Sequence, residues 1–134
     1  MASVIAIEGV GDVYGQKLKE AGLATTEALL KAGASPSGRQ EIAEKTGISG
    51  VLILEWVNRA DLFRIKGVGE EYSDLLEASG VDTVPELAQR NPENLYAKLG
   101  EVNEEKKLVR RLPAQTQVGD WVEQAKGLPR VMTY

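Results

Sequence analysis

The chain contains no cysteine and no histidine. Together these absences exclude disulfides, thiolate nucleophiles, imidazole general bases and the usual zinc ligands. Aromatic residues make up only 5 % of the sequence, so aliphatic side chains have to fill the interior. No apolar run is long enough to span a bilayer, and the N-terminus lacks the basic start and long apolar segment of a signal peptide. These absences fit a reducing compartment, and we expect a cytoplasmic protein with no membrane partner. Excess positive charge is missing too. There are 16 basic and 20 acidic side chains, for a net charge of −4. Residues 1–58 hold 5 basic and 7 acidic groups, and residues 59–134 hold 11 and 13. A chain that lives on nucleic acid usually shows a basic balance; here any such surface has to be a local patch.

What the chain does have is a repeated sentence. Ile7-Glu8-Gly9-Val10-Gly11 returns 58 residues later as Ile65-Lys66-Gly67-Val68-Gly69. In the stretch that follows each copy, Tyr14 matches Tyr72, Leu18 matches Leu76, and Gly22 matches Gly80. Leu23-Ala24-Thr25 then aligns with Val81-Asp82-Thr83. A self-similarity of this length is an architectural signal. Glycine, apolar residue, glycine makes a tight turn that β-carbons would block, with Val10 or Val68 tucked beneath it. The helix after each turn points its first N–H groups toward the loop. Gly22 and Gly80 are placed to end those helices in a left-handed cap. Thr25 and Thr83 can start the next ones, and the spacing from Thr83 to Glu86 is that of a capping box.

At 134 residues, 43 % hydrophobic and 27 % charged, the composition suits one ordinary globular domain. Periodicity and cap residues predict helices over residues 13–21, with Val13, Leu18 and Ala21 on one side, and over 26–32, 39–46, 50–60 and 62–65. Further helices are expected over 70–79, 84–89, 92–99, 104–112 and 117–126. A short first helix is expected at 3–7. Residues 50–60 carry Val51, Leu52, Ile53, Leu54, Trp56 and Val57, which leaves little polar face. We read this stretch as a buried strut joining the two halves and packed by both. A β-strand competes for the same run, but its length and flanking caps favour a helix. Trp121-Val122 echoes Trp56-Val57, at a spacing of 65 rather than 58, so the second half carries extra residues around 103–115. Trp56 and Trp121 are expected in the core, and Tyr14 and Tyr72 half-buried against the turns.

Short helix, glycine turn, second helix, written twice, resembles the helix-hairpin-helix motif. More closely, the chain resembles a bacterial family of tandem helix-hairpin-helix proteins described only as a domain of unknown function. The residues that carry the likeness are Ile7–Gly11, Arg39–Ser49, Trp56–Tyr72, Arg90-Asn91-Pro92 and Arg110-Arg111-Leu112-Pro113. The resemblance implies an all-α fold: a compact single domain of about ten short helices with two pseudo-symmetric helix-hairpin-helix motifs. Repeat one would span 3–60 and repeat two 61–127. In the wider group the hairpin N–H groups grip a nucleic-acid phosphate, sometimes with a monovalent cation, so the backbone is held without base reading. Carried over, the phosphate-binding residues are Gly9, Val10 and Gly11, and Gly67, Val68 and Gly69. The small residue that DNA-binding versions place four after the second glycine appears as Gly15 and Ser73. The pattern departs just past the glycines, where Asp12 and Glu70-Glu71 stand. A carboxylate there already satisfies the positive helix end and repels phosphate. Lys66 and Arg64 help the second copy, while Glu8 hurts the first.

Two further features bear on function. Lys106, Lys107, Arg110 and Arg111 form the best basic face on the chain, expected on one side of the 104–112 helix and diluted by Glu104 and Glu105. Residues 41–49 resemble the first helix and turn of a helix-turn-helix, but the would-be recognition helix Gly50–Glu55 offers almost nothing that hydrogen-bonds a base edge. No P-loop or nucleophile elbow exists, and nothing marks a carboxylate pair. We therefore expect no enzyme, no catalytic residue, no metal and no cofactor. The expected function is a non-catalytic helix-hairpin-helix binding module for nucleic-acid backbone, weak and indifferent to sequence. Its contacts would be Gly9, Val10, Gly11, Lys66, Gly67, Val68, Gly69, Lys106, Lys107, Arg110 and Arg111. The alternative is a protein–protein interaction adaptor whose hairpins are purely structural and whose partner the sequence does not name.

Overall fold

A computed structural model describes residues 2–134. Among them the chain forms one 3-10 turn, Val4–Ala6, and eight α-helices. These are α1 (Gly11–Glu20), α2 (Thr26–Ala32), α3 (Pro36–Thr46) and α4 (Gly50–Leu62). They are followed by α5 (Glu70–Ala78), α6 (Val84–Ala88), α7 (Pro92–Lys106) and α8 (Gln115–Gly127). No strand is formed among the described residues; one isolated bridge pairs Ser3 with Thr25.

The chain groups into two compact units. Unit 1 is the chain up to Phe63 together with Val131–Tyr134, and unit 2 is Arg64–Arg130. In unit 1, α4 packs on α2 and α3, and α1 packs on the 3-10 turn. The centre is aliphatic, as few aromatics require: Val4, Leu18, Leu29, Ile53 and Val57 are fully buried around Trp56. In unit 2, α8 packs on α6 and α7, and α5 packs on α7. Leu75, Leu76, Leu87, Leu95 and Val118 are buried there with Trp121.

The helix ends follow the local chemistry. Thr25 Oγ1 accepts from the Ala28 N–H at 3.1 Å, and Ser35 Oγ accepts from the Gly38 N–H at 3.1 Å with a proline opening α3. Gly22 (φ +84°) and Gly80 (φ +94°) both take the left-handed form. After each, the chain makes the same pair of closing bonds. Gly22 N–H donates to Lys19 O and Leu23 N–H to Leu18 O; Gly80 N–H donates to Glu77 O and Val81 N–H to Leu76 O. That pair satisfies the last carbonyls of the helix. At Thr83 the capping box is not made: its hydroxyl donates to Glu86 Oε1 at 3.1 Å instead of accepting from the helix.

Several sequence expectations are corrected. Among the described residues there are eight α-helices and one 3-10 turn rather than about ten short helices. The stretch 62–65 is no separate helix, because α4 continues through a buried Asp61 to Leu62. The helix expected over 92–99 does not end there: α7 passes through Gly100 and runs on to Lys106. Residues 107–114 are consequently irregular and no helix spans 104–112. Lys107 takes a left-handed turn (φ 51°), and Asn103, which precedes the expected 104–112 helix, sits near the end of α7. Val13 points outward at 72 % exposure and Val51 at 69 %, so α1 and α4 are each wetter on one side than the pattern suggests.

Candidate functional site

The two glycine loops share the conformation of their first glycine and differ at the second, where Gly11 takes φ +64° as the first residue of α1 and Gly69 is extended at φ −114° as the N-cap of α5. Gly9 (φ +91°) and Gly67 (φ +95°) occupy backbone space that side chains rarely enter. Each loop is closed by one short turn: Val10 N–H donates to Ile7 O at 3.2 Å, and Val68 N–H to Ile65 O at 3.1 Å. The valines are buried beneath the turns. A tryptophan lies under each loop with a tyrosine tilted against it. Tyr14 and Trp56 have ring centroids 5.2 Å apart at 56°, and Tyr72 and Trp121 have them 5.3 Å apart at 55°. Such tilted pairs favour the ring edges and add to burial. A β-carbon on Gly67 would stand 3.0 Å from Trp121 Nε1, and one on Gly9 would stand 3.7 Å from Trp56 Nε1. The Trp121 Nε1–H is buried without a hydrogen-bond acceptor among the described residues, so the second loop rests on an indole it cannot yield to.

The second loop is also clamped from the side. Lys66 N–H donates to Gln124 Oε1 at 2.9 Å, and Gln124 Nε2 donates back to Lys66 O at 3.1 Å. Asp120 Oδ2, one turn earlier on α8, accepts a third bond from the same amide at 2.9 Å. With Lys66 and Val68 tied, the N–H groups of Gly67 and Gly69 make no hydrogen bond among the described residues. They adjoin the free first turn of α5, whose N-cap Gly69 carries no capping side chain. Backbone donors gathered at a helix start attract an anion.

Beside these donors lies an open groove of about 410 Å³ lined by Gly67, Gly69, Glu70, Glu71, Tyr72, Arg110 and Arg111. The irregular stretch after α7 delivers the two arginines. Asn103 brackets Val109 with both ends of its amide, Nδ2 donating to Val109 O at 3.2 Å and Oδ1 accepting from Val109 N–H at 2.9 Å. Val109 is buried, and the next two residues project outward. Tyr72 adds a bond from its hydroxyl to Arg111 O at 3.2 Å. The guanidinium of Arg110 lies 3.7 Å from Glu71, with side chains 94 % and 52 % exposed. So exposed and long a pair holds weakly, and Arg110 is free to exchange partners.

Of the residues the sequence singled out, Gly67, Gly69, Arg110 and Arg111 share this groove. Val68 is buried, and Lys66 is exposed, held to Gln124 by its main chain and not part of the groove lining. Lys106 ends α7 and Lys107 caps it; neither lines the groove, and the four basic residues do not share a helix face. Gly9, Val10 and Gly11 form the loop of unit 1, flanked by exposed Glu8 and Asp12. Gln124 and Asn103 were not anticipated. Gln124 follows Trp121 by three residues, hence on the same helix face, which is the one sequence cue that it reaches the loop. No group of three acidic residues able to hold a metal ion exists among the described residues.

No curated protein and no solved structure matches the chain significantly. A family model does match, over residues 8–128, a span that takes in both glycine loops, Arg110, Arg111 and Gln124. The chain belongs to the family described as Domain of unknown function (DUF4332).

Proposed function

We propose that this chain is a non-catalytic tandem helix-hairpin-helix binding module, with residues 3–60 and 61–127 as its repeats, and that its second loop holds a phosphate of a nucleic-acid backbone. The observation that carries the reading is the groove that sets Arg110 and Arg111 beside the unpaired N–H groups of Gly67 and Gly69. Backbone donors fix a phosphate in place, and a guanidinium adds a charge-assisted bond in fork geometry. None of these contacts reads a base edge, so affinity is indifferent to sequence. The matching conformation of Gly9 and Gly67 and the matching tyrosine–tryptophan pairs support the repeat. The first loop has Glu8 and Asp12 at its mouth, and in this reading it is a structural corner.

The test is a fluorescence-anisotropy titration of random duplex and single-stranded oligonucleotides at low salt. Weak binding that is equal across sequences, and lost in Arg110→Glu/Arg111→Glu, is the expected result. Absence of binding at high micromolar protein sinks the proposal. Incubation with magnesium should leave the oligonucleotide intact; cleavage that copurifies with the protein would remove the word non-catalytic.

One observation favours a second reading. Glu70 and Glu71 line the same groove, and carboxylates in the first turn of α5 compete with any anion for the helix end. A basic segment of a partner protein would meet them better than a phosphate would. A pull-down read by mass spectrometry separates the two. Recovery of a partner with a basic segment, displaced by Glu70→Gln/Glu71→Gln, is the adaptor's signature; recovery of nucleic acid alone counts against it.

A further inference from the structure

Residues 131–134 belong to unit 1 and form a short strap without regular secondary structure. Thr133 is held by its main chain on both sides: its N–H donates to Ala34 O at 2.8 Å, and its carbonyl accepts from Arg39 Nη2 at 2.8 Å. Arg39 is itself only 8 % exposed, and its Nη1 donates to Gly33 O at 2.9 Å. Of the residues on either side of Thr133, Met132 is buried and Tyr134 lies on the surface at 65 % exposure, held by polar contacts. Met132 is 3 % exposed and belongs to the core cluster of Trp56, Val57 and Ile53. Tyr134 lays its ring 5.4 Å from the Arg39 guanidinium and donates its hydroxyl to Asn58 Oδ1 at 2.8 Å. Main-chain bonds at one residue and a buried side chain beside it are how proteins take up peptide segments. Arg39 is the pivot of the seat, since one guanidinium bonds the strap's carbonyl and stacks on its aromatic ring.

The strap's covalent connection is to unit 2 through Leu128-Pro129-Arg130, where Arg64 Nη2 donates to Pro129 O at 2.6 Å. Nothing in the seat distinguishes the strap of its own chain from the identical strap of another. We propose that the Arg39 seat of unit 1 is a peptide-docking site, and that the occupant it takes in trans is residues 131–134 of a second copy, joining two chains by exchange of straps. Exchange of an identical element makes the same interactions in the dimer as in the monomer, and the contacts that have to be released are those of residues 131–134 just described. The tethered strap has the advantage of high effective concentration, so the monomer prevails in dilute solution and exchange needs concentration and transient release.

Annealing tests this. The protein is held concentrated just below its melting temperature, cooled, and sized by chromatography with light scattering. The expected result is a fraction at roughly twice 14.5 kDa, absent from the Met132→Asp/Tyr134→Ala chain. A tenfold excess of a synthetic peptide of residues 128–134 during annealing should suppress the dimer in the unaltered chain. That arm does not depend on how well the variant folds. A chain that stays wholly monomeric overturns the proposal, as does a dimer that neither the peptide nor the substitutions diminish.

Discussion

At the scale of the residue, the strongest constraint is at Gly67. Alanine there would take a left-handed backbone and bring its β-carbon against Trp121 Nε1. The expected cost is about 1–3 kcal/mol, read as a lower urea midpoint. Gly69 is different: its φ of −114° suits any residue and nothing lies within 4 Å of its β-carbon position. Gly69→Ser should gain a few tenths of a kcal/mol by capping α5. Gln124→Ala removes both bonds to Lys66 and should cost about 1–2 kcal/mol in urea unfolding. If the clamp presents the loop, binding falls by more than stability alone explains; equal binding at a temperature where the variant is fully folded would make the clamp purely structural. Arg39 shows what a single residue hides. In sequence it is one more basic residue on a helix, and only the strap's return, 94 residues later in the chain, makes it a buried anchor.

At the scale of the element, α7 is instructive. The sequence expectation ends this helix at residue 99, just before Gly100, since glycine lowers helix stability by about 1 kcal/mol against alanine. The helix nevertheless passes through it because Leu95 and Leu99 are buried against unit 2's core and Asn103 one turn later fastens Val109. Nothing lies within 4 Å of a β-carbon at Gly100, so Gly100→Ala should raise stability by about 1 kcal/mol, measurable as a shift to higher urea. A loss would mean that the helix needs glycine there. The turns, by contrast, were legible: both glycine loops, both left-handed caps at Gly22 and Gly80, and the buried tryptophans follow from spacing and residue type. What spacing could not supply was the fate of 103–115. The local pattern there fits a helix, and a bond from Asn103 to Val109 overrides it. That override moves Arg110 and Arg111 off a helix face and onto the groove, so half of the candidate site was visible as a motif and the other half only as charge.

At the scale of the whole molecule, unit 1 contains both the chain's beginning and residues 131–134, with unit 2 between them in sequence. Unfolding unit 2 alone would leave the strap closing a long disordered loop, an entropic cost that weakens its seat. The sequence reading of one cooperative domain therefore carries a calorimetric expectation of a single endotherm. Trp56→Ala, at a cost of about 3–5 kcal/mol, should lower that whole transition. Two separated peaks would show the units to be independent. The net charge of −4 makes association with a polyanion unfavourable at long range, so any binding has to come from the local arginines and the loop donors. The most direct test of that claim is the salt dependence of oligonucleotide affinity. For the unaltered chain, log K should fall linearly with log salt. For Arg110→Ala/Arg111→Ala the slope should be shallower by about 2, since each arginine neutralises one phosphate. An unchanged slope in the double variant, or no binding at the lowest salt, would contradict the account.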